Sequence, residues 1–334
     1  MININEIQQQ LFQIIKTRIP AEASVADEIA KFLNISSDSA YRRMRGEKQI
    51  TFEELYMLAT NFRISLDQLM NIPTGGFVFQ GNLLNHKNFR FDAYLTGIMH
   101  TMAYFVSFKQ HELYYLCKDI PLFHHWHIKE LAAFKYHFWM TSIFGFPEFK
   151  KIKVDINGYP DQLWDLGQKI LGLYNQVDSF ELWNLEAINS TIHQIEYYRE
   201  GQMFKSDYDV LKVYEAVERT VDHLEAQATL GRKFKIDDPA KKPLGNYQMY
   251  VNEILLFDNS ILAVLDNTKI SMLTHTTNNW IMTRDITFSE NSYQYIQNLM
   301  RRSTMISEVS EKERSRFFRI LRERIARRKA VLAV

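Results

Sequence analysis

A mainly α chain is predicted, with an N-terminal module of short helices, a long-helix central body, and a small mixed α/β C-terminal unit ending in a basic helix. Three observations predict it. Residues 24–69 carry helix-capping residues at short intervals. Residues 161–230 read as three long amphipathic segments. Residues 247–274 form short β-like runs separated by Asp-Asn turns. The boundaries drawn are 1–72, 77–235 and 240–334. A chain of 334 residues is expected to hold more than one domain, and 46% hydrophobic residues suffice for buried cores.

Residues 5–19 are expected to form a first helix packing on the N-terminal module. Ser24 caps a helix beginning at Val25, and Ser36 or Ser37 caps the next. Thr51/Glu54 and Ser65/Gln68 have capping-box spacing: the hydroxyl accepts the N3 amide, and the N3 side chain reaches back. Ile29, Phe32 and Leu33, and then Leu55, Leu58, Ala59 and Phe62, recur at helical spacing. Ala40 and Met44 should face inward. Gly46 should stop their helix, because glycine takes positive φ without steric cost. That short helix then presents Ser37, Asp38, Tyr41 and Arg42 outward, beside a loop with Glu47, Lys48 and Gln49.

This segment resembles the phage repressor/Cro-type (XRE-like) helix-turn-helix family. The resemblance is carried by Ala30, Ile35-Ser36, Arg45-Gly46 and the Leu55/Leu58-Ala59/Phe62/Ile64-Ser65/Leu69 pattern, and it covers about a fifth of the chain. It implies that the second helix of the motif enters the DNA major groove and puts its first side chains at base edges. By position, Ser37, Asp38 and Arg42 would read bases. Ser39, Arg43, Arg45 and Lys48 would hold phosphates or support the fold, and Tyr41 belongs to the same surface. Asp38 stands where the family often has Gln; a carboxylate accepts from a cytosine amino group but repels phosphate. The loop before Thr51 lacks the Pro often found there.

Residues 71–76, with Pro73, Gly75 and Gly76, read as a linker. Beyond it a helix is expected over 91–108, a strand over 112–118 and a helix over 128–143. The three long helices are expected at 161–176, 180–200 and 208–230, with Ser179 and Ser206 as caps and Gly201 and Gly231 as stops, folded into antiparallel hairpins. A loop containing Pro239, Pro243 and Gly245 ends this block. Strands are expected at 247–257, 261–265 and 270–274, then a helix at 289–302. A last helix should start at Ser310, boxed by Glu313, with Phe317, Leu321 and Ile325 as its apolar stripe and seven arginines around it. Those arginines fit a solvated or dimer-supporting face, or an auxiliary DNA contact.

Composition narrows the function. The net charge of +1 means that attraction to DNA must come from local placement of Arg42, Arg43, Arg45 and Lys48. The single cysteine, Cys117, excludes an intramolecular disulfide and fits a reducing compartment; it reads as a buried, inert thiol. No signal-like leader and no run of some 18 apolar residues is present, so a cytoplasmic protein with no membrane partner is expected. Six of the ten histidines lie between His100 and His137. The run His124-His125-Trp126-His127 invites a metal reading, but adjacent imidazoles point in different directions, so packing and hydrogen bonding are expected instead. The aromatics of 77–183 read as core or as the lining of an apolar pocket. Phosphate-loop, dinucleotide and nucleophile-elbow motifs are absent from the sequence.

These readings converge on a sequence-specific transcription regulator that binds double-stranded DNA as a homodimer. Its body dimerises and senses a small-molecule or peptide effector. No catalytic residues, cofactor or metal are expected. Two rivals stay open. One is an enzyme with a DNA-targeting head and a site near the histidines. The other is a protein-interaction or antitoxin-like partner that docks its arginine helix on an acidic surface.

Overall fold

The computed structural model describes residues 4–16, 19, 23–70, 76–81, 89–255, 257–276 and 279–332. The chain divides into two compact units, Met1–Val78 and Phe79–Val334. Of the expected linker, 71–75 lie outside the described residues.

The first unit is helical: α1 (Ile4–Lys16), α2 (Val25–Leu33), α3 (Ser37–Met44), α4 (Phe52–Asn61) and α5 (Leu66–Met70). Leu11, Phe12 and Ile15 of α1 meet Ile29, Ala40, Leu55 and Leu58 in one core. Ser24 accepts the Asp27 amide at 3.4 Å, and the Thr51/Glu54 capping box is complete. The expected Ser65/Gln68 box involves a side chain, that of Gln68, outside the described residues.

The second unit is built on a seven-stranded sheet in the order β6-β5-β4-β1-β2-β3-β7. Its strands are β1 (His111–Leu116), β2 (Asp178–Trp183), β3 (Tyr247–Val251), β4 (Ser260–Leu265), β5 (Thr268–Thr276), β6 (Asn279–Thr283) and β7 (Thr304–Met305). β1, β2 and β3 run parallel; β4 returns antiparallel on the other side of β1. The helices are α6 (Phe91–Val106), α7 (Lys129–Phe138), α8 (Asp161–Tyr174), α9 (Asn189–Glu200), α10 (Asp207–Leu230), α11 (Ile286–Arg301) and α12 (Glu311–Ala330). Leu113 and Tyr115 share a core with α6–α10 and α12 on one face of the sheet. Tyr114, Leu116 and Leu182 meet Ile296, Leu299 and Met300 of α11 on the other. Because both faces of β1 are covered, its sequence is nearly continuously apolar rather than alternating.

Three expectations are corrected here. Residues 180–200 are not one helix: 178–183 is a strand flanked by β1 and β3, and Ser179 is a buried strand residue rather than a cap. The long helices are therefore sheet crossovers, not a hairpin stack. The boundary drawn between 235 and 240 runs through this sheet, since β1 and β2 pair with strands from beyond it. Ser310 does precede the last helix, but its φ of 56° puts it in the left-handed region and its side chain makes no capping bond.

Several basic residues of α12 are tied down within the second unit, while Arg316, Arg319, Arg327 and Arg328 are exposed. Arg322 binds Asp222 at 2.7 Å and also Glu225, both on α10, and Lys329 binds Glu218 there at 2.6 Å. Arg324 reaches Glu186 at 3.1 Å, and Arg314 donates to the carbonyls of Ile306 and Val309. Phe317, Phe318, Leu321 and Ile325 are buried beneath them.

At the centre lies Glu181 of β2, fully buried. Its carboxylate accepts from His124 Nε2 at 2.8 Å, Trp183 Nε1 at 2.8 Å, Tyr247 OH at 2.7 Å and Tyr174 OH. Burial alone would raise its pKa, but His124 and the two tyrosine hydroxyls outweigh burial and hold it at about 2. Burial keeps His127 neutral, and with the neighbouring His124 it holds His223 at about 4. All three shifts act with one sign. The histidines stabilise fully above their ordinary value of 6.5 and lose that contribution as pH falls; Glu181 follows below 4.5. The urea midpoint of the second unit is therefore expected to fall steadily from about pH 6.5 downward. Glu181→Gln should lower the midpoint throughout, flatten the most acidic part of that profile and leave the slope above about pH 5 unchanged. A midpoint constant between about pH 6.5 and pH 4 would contradict this assignment.

Candidate nucleic-acid interface

In the first unit, α2 and α3 are joined by Asn34-Ile35-Ser36 alone. Asn34 takes the left-handed region at φ 53° and reverses the chain; its short polar side chain tolerates that conformation. Ser36 then caps α3, accepting the Ser39 amide at 3.2 Å. Ala30 and Ala40 are buried and small, which lets the two helices approach closely. Gly46, at φ 81°, turns the chain out of α3. A Cβ there would meet nothing closer than 3.7 Å, so backbone conformation rather than crowding demands glycine.

The loop after α3 is clamped by a residue that the sequence reading missed. Gln8 of α1 is buried; it donates to the carbonyls of Arg43 at 2.7 Å and Lys48 at 2.8 Å, and accepts the Ile50 amide at 3.0 Å. A signal existed: Gln8 occupies the same helical stripe as Leu11, Phe12 and Ile15, where a polar side chain must find partners.

Arg43 is turned inward, only 3% exposed. It binds Glu54 through Nη2 at 2.6 Å and Nε at 3.1 Å, and donates to the Ser39 carbonyl and hydroxyl at 3.1 and 2.6 Å. Those bonds hold the Glu54 carboxyl below its ordinary range. Arg43 and Ser39 thus fasten α3 to α4, and on this geometry Arg43 leaves the set of duplex-facing residues. Ser37, Asp38, Tyr41, Arg42, Arg45 and Lys48 are exposed. Ser37 donates its hydroxyl to Asp27 at 2.6 Å, which sets it on the α2 side of the helix start and lowers the Asp27 pKa.

Residues 1–78 hold eight basic and nine acidic side chains, so the unit as a whole does not attract a polyanion. The local cations are also partly compensated. Glu47 lies 2.8 Å from Arg45 and 3.9 Å from Arg42, all half-exposed, in pairs of low intrinsic value.

Residues 2–77 match the family model of the BetR domain. That family is one of helix-turn-helix-like DNA-binding domains. No curated protein and no solved structure matches the chain. Among the described residues no helix is long and apolar enough to cross a membrane.

The His124–His127 run is a buried 3₁₀ turn in the second unit, with His124 Nδ1 facing His127 Nε2 at 3.2 Å. Among the described residues no group of three or more His, Cys, Asp or Glu is arranged to hold a metal. Cys117 is buried, which raises its thiol pKa. The aromatics of 77–183 serve both expected roles. Many are core, and some line a cavity of ≈ 510 Å³ between α6 and the sheet.

If Arg45 holds phosphate, Glu47 competes for it, and Glu47→Gln should tighten binding to specific and random duplexes alike, by about threefold and most at low salt. Fluorescence anisotropy at two salt concentrations measures it. Weaker binding would place Glu47 in contact with the DNA itself.

Proposed function

We propose that the BetR-domain head works in the phage repressor/Cro (XRE-like) manner, as the reader of a sequence-specific transcription regulator. In this reading α3 enters the major groove. Asp38 and Arg42 read base edges there, with Ser37 and Tyr41 beside them, while Arg45 and Lys48 hold the flanking phosphates. The observation that carries the reading is the α2–turn–α3 geometry within a matched DNA-binding domain. The buried Arg43–Glu54 pair and Gln8 fix the frame, and the first turn of α3 stays exposed.

A single head covers half a site. Two heads on half-sites a helical turn apart raise affinity through effective concentration, which supports a homodimer. The second unit is then the dimerising and sensing body, and it carries no catalytic role. A signal acting on that body shifts the disposition of the heads and so the affinity for the operator.

Titrations of the full chain with a selected duplex and with random DNA test this. Arg42→Ala should lose about 1–3 kcal/mol of discrimination while random-DNA affinity changes less. Lys48→Ala should weaken both duplexes equally and reduce the salt slope by about one. Equal losses on both duplexes for Arg42→Ala would remove its base-reading role. No preference for any duplex in a genome-wide selection would overturn the regulator reading.

A further inference from the structure

A second cavity, ≈ 840 Å³, opens in the second unit at the carboxyl ends of β1 and β2. Its rim holds Asp119, which follows β1, and Asn184 and Glu186, which follow β2. The topology marks this place. The chain proceeds β1, β2, β3 to one side and then returns to β4 on the other side of β1. β4 runs antiparallel to β1, so its first residue, Ser260, stands beside Leu116 at this same end and lines the cavity too.

The floor of the cavity carries hydrogen-bonding capacity that the fold does not use. His125 is 4% exposed and lines the cavity, and neither of its ring nitrogens has a hydrogen-bond partner among the described residues. Tyr94 lines it too, and its buried hydroxyl is likewise unpartnered there. Buried polar groups are nearly always bonded, so unpartnered ones lining one cavity mark a place for a ligand or ordered water. Trp139, its ring 5.6 Å from that of His125, and Trp280 add aromatic wall.

Charge selects the class of ligand. Each ionised group at the rim has its counter-charge: Lys118 with Asp258 at 3.2 Å, Asp119 with Lys135 at 3.4 Å, Glu186 with Arg324 at 3.1 Å. Burial, with Lys135 and His124 nearby, pushes the His125 pKa well down, so its imidazole offers one donor and one acceptor and no charge. An anion would meet the rim carboxylates; a cation would find no free carboxylate.

We infer that this cavity binds a neutral aromatic small molecule through a hydroxyl or amide group that exchanges hydrogen bonds with His125 and Tyr94. Calling that molecule the effector rests on the regulator reading; the binding site itself does not.

Equilibrium dialysis of the full chain against 2-naphthol, naphthalene and 2-naphthoate tests it. One mole of 2-naphthol should bind per chain, about tenfold tighter than naphthalene, which lacks the hydroxyl, or naphthoate, which adds charge. Tyr94→Phe should remove about tenfold of the 2-naphthol affinity and leave naphthalene unchanged; His125→Phe should remove at least as much. Naphthalene binding as tightly as 2-naphthol, or no saturable 2-naphthol binding, would overturn the proposal in the wild-type chain, whatever the folding of the variants. The same preparation titrated with its duplex keeps the two readings apart. DNA binding without naphthol binding overturns the pocket alone, and the reverse overturns the regulator reading alone.

Discussion

The second unit is organised around a carboxylate that cannot stand alone. Glu181 is fully buried in the strand between β1 and β3. An unpaired charge there would cost several kcal/mol, and removing one partner of such a cluster typically costs about 3–5 kcal/mol. Its donors come from four places: the 3₁₀ turn through His124, α8 through Tyr174, β3 through Tyr247 and its own strand through Trp183. Beside them Lys233, also fully buried, donates to the carbonyls of Tyr174 and Val177 at 2.8 Å and to Ser179 at 2.5 Å. Each bond has a narrow geometry, so together they fix where helix, turn and neighbouring strand must lie. The apolar core supplies most of the driving force for burial; the polar cluster makes one arrangement of that core better than its near neighbours.

The head uses the same device at smaller scale. Glu54 caps α4 and binds Arg43 bidentately, so one carboxylate sets the start of one helix and the position of another. Gln8 completes the frame from α1. The consequence is a division of labour among neighbouring cations. Arg43 is desolvated and held by a charge-assisted pair. Arg42 and Arg45 share an exposed carboxylate in water, where the pair is weak and readily exchanged. Three arginines within four positions thus have different work, decided by which side of the helix each occupies.

That distinction shows what the sequence made legible. Capping residues act on their own helix, so Ser24, Ser36 and Thr51 were readable, as were the stops at Gly46 and Gly231. Ser310 failed because a cap needs extended backbone, and its φ of 56° is set by the preceding loop. The strand at 178–183 was missed for a different reason. Phe180, Leu182 and Trp183 fit the helical spacing of the segment that follows, and only pairing with β1 and β3, distant in sequence, makes them extended. The inward turn of Arg43 was equally non-local, since its partner lies on the next helix. Four of the seven arginines of α12 do face solvent, as their spacing suggested; the carboxylates that hold Arg322 stand about a hundred residues earlier, on α10, and were not legible.

Unused bonding capacity separates the parts of this protein that hold shape from those that can act. The Glu181 cluster, the Arg43–Glu54 pair and the buried Arg314 of α12 have exchanged water for protein partners, and breaking them costs stability. Two places differ. On α3 and its loop the cations are hydrated and loosely paired, so a phosphate can replace Glu47 at little cost. At the cavity beyond β1, His125 and Tyr94 have no partner among the described residues, so a ligand or ordered water there meets unused hydrogen-bonding capacity. A fold that satisfies a buried carboxylate four times over leaves these two neutral groups of one cavity without a partner among the described residues. A molecule that both donates and accepts would use that capacity and, by binding only the folded unit, stabilise it. In the proposed reading the head acts through cheap exchange, and occupancy of the cavity is linked to the stability of the second unit.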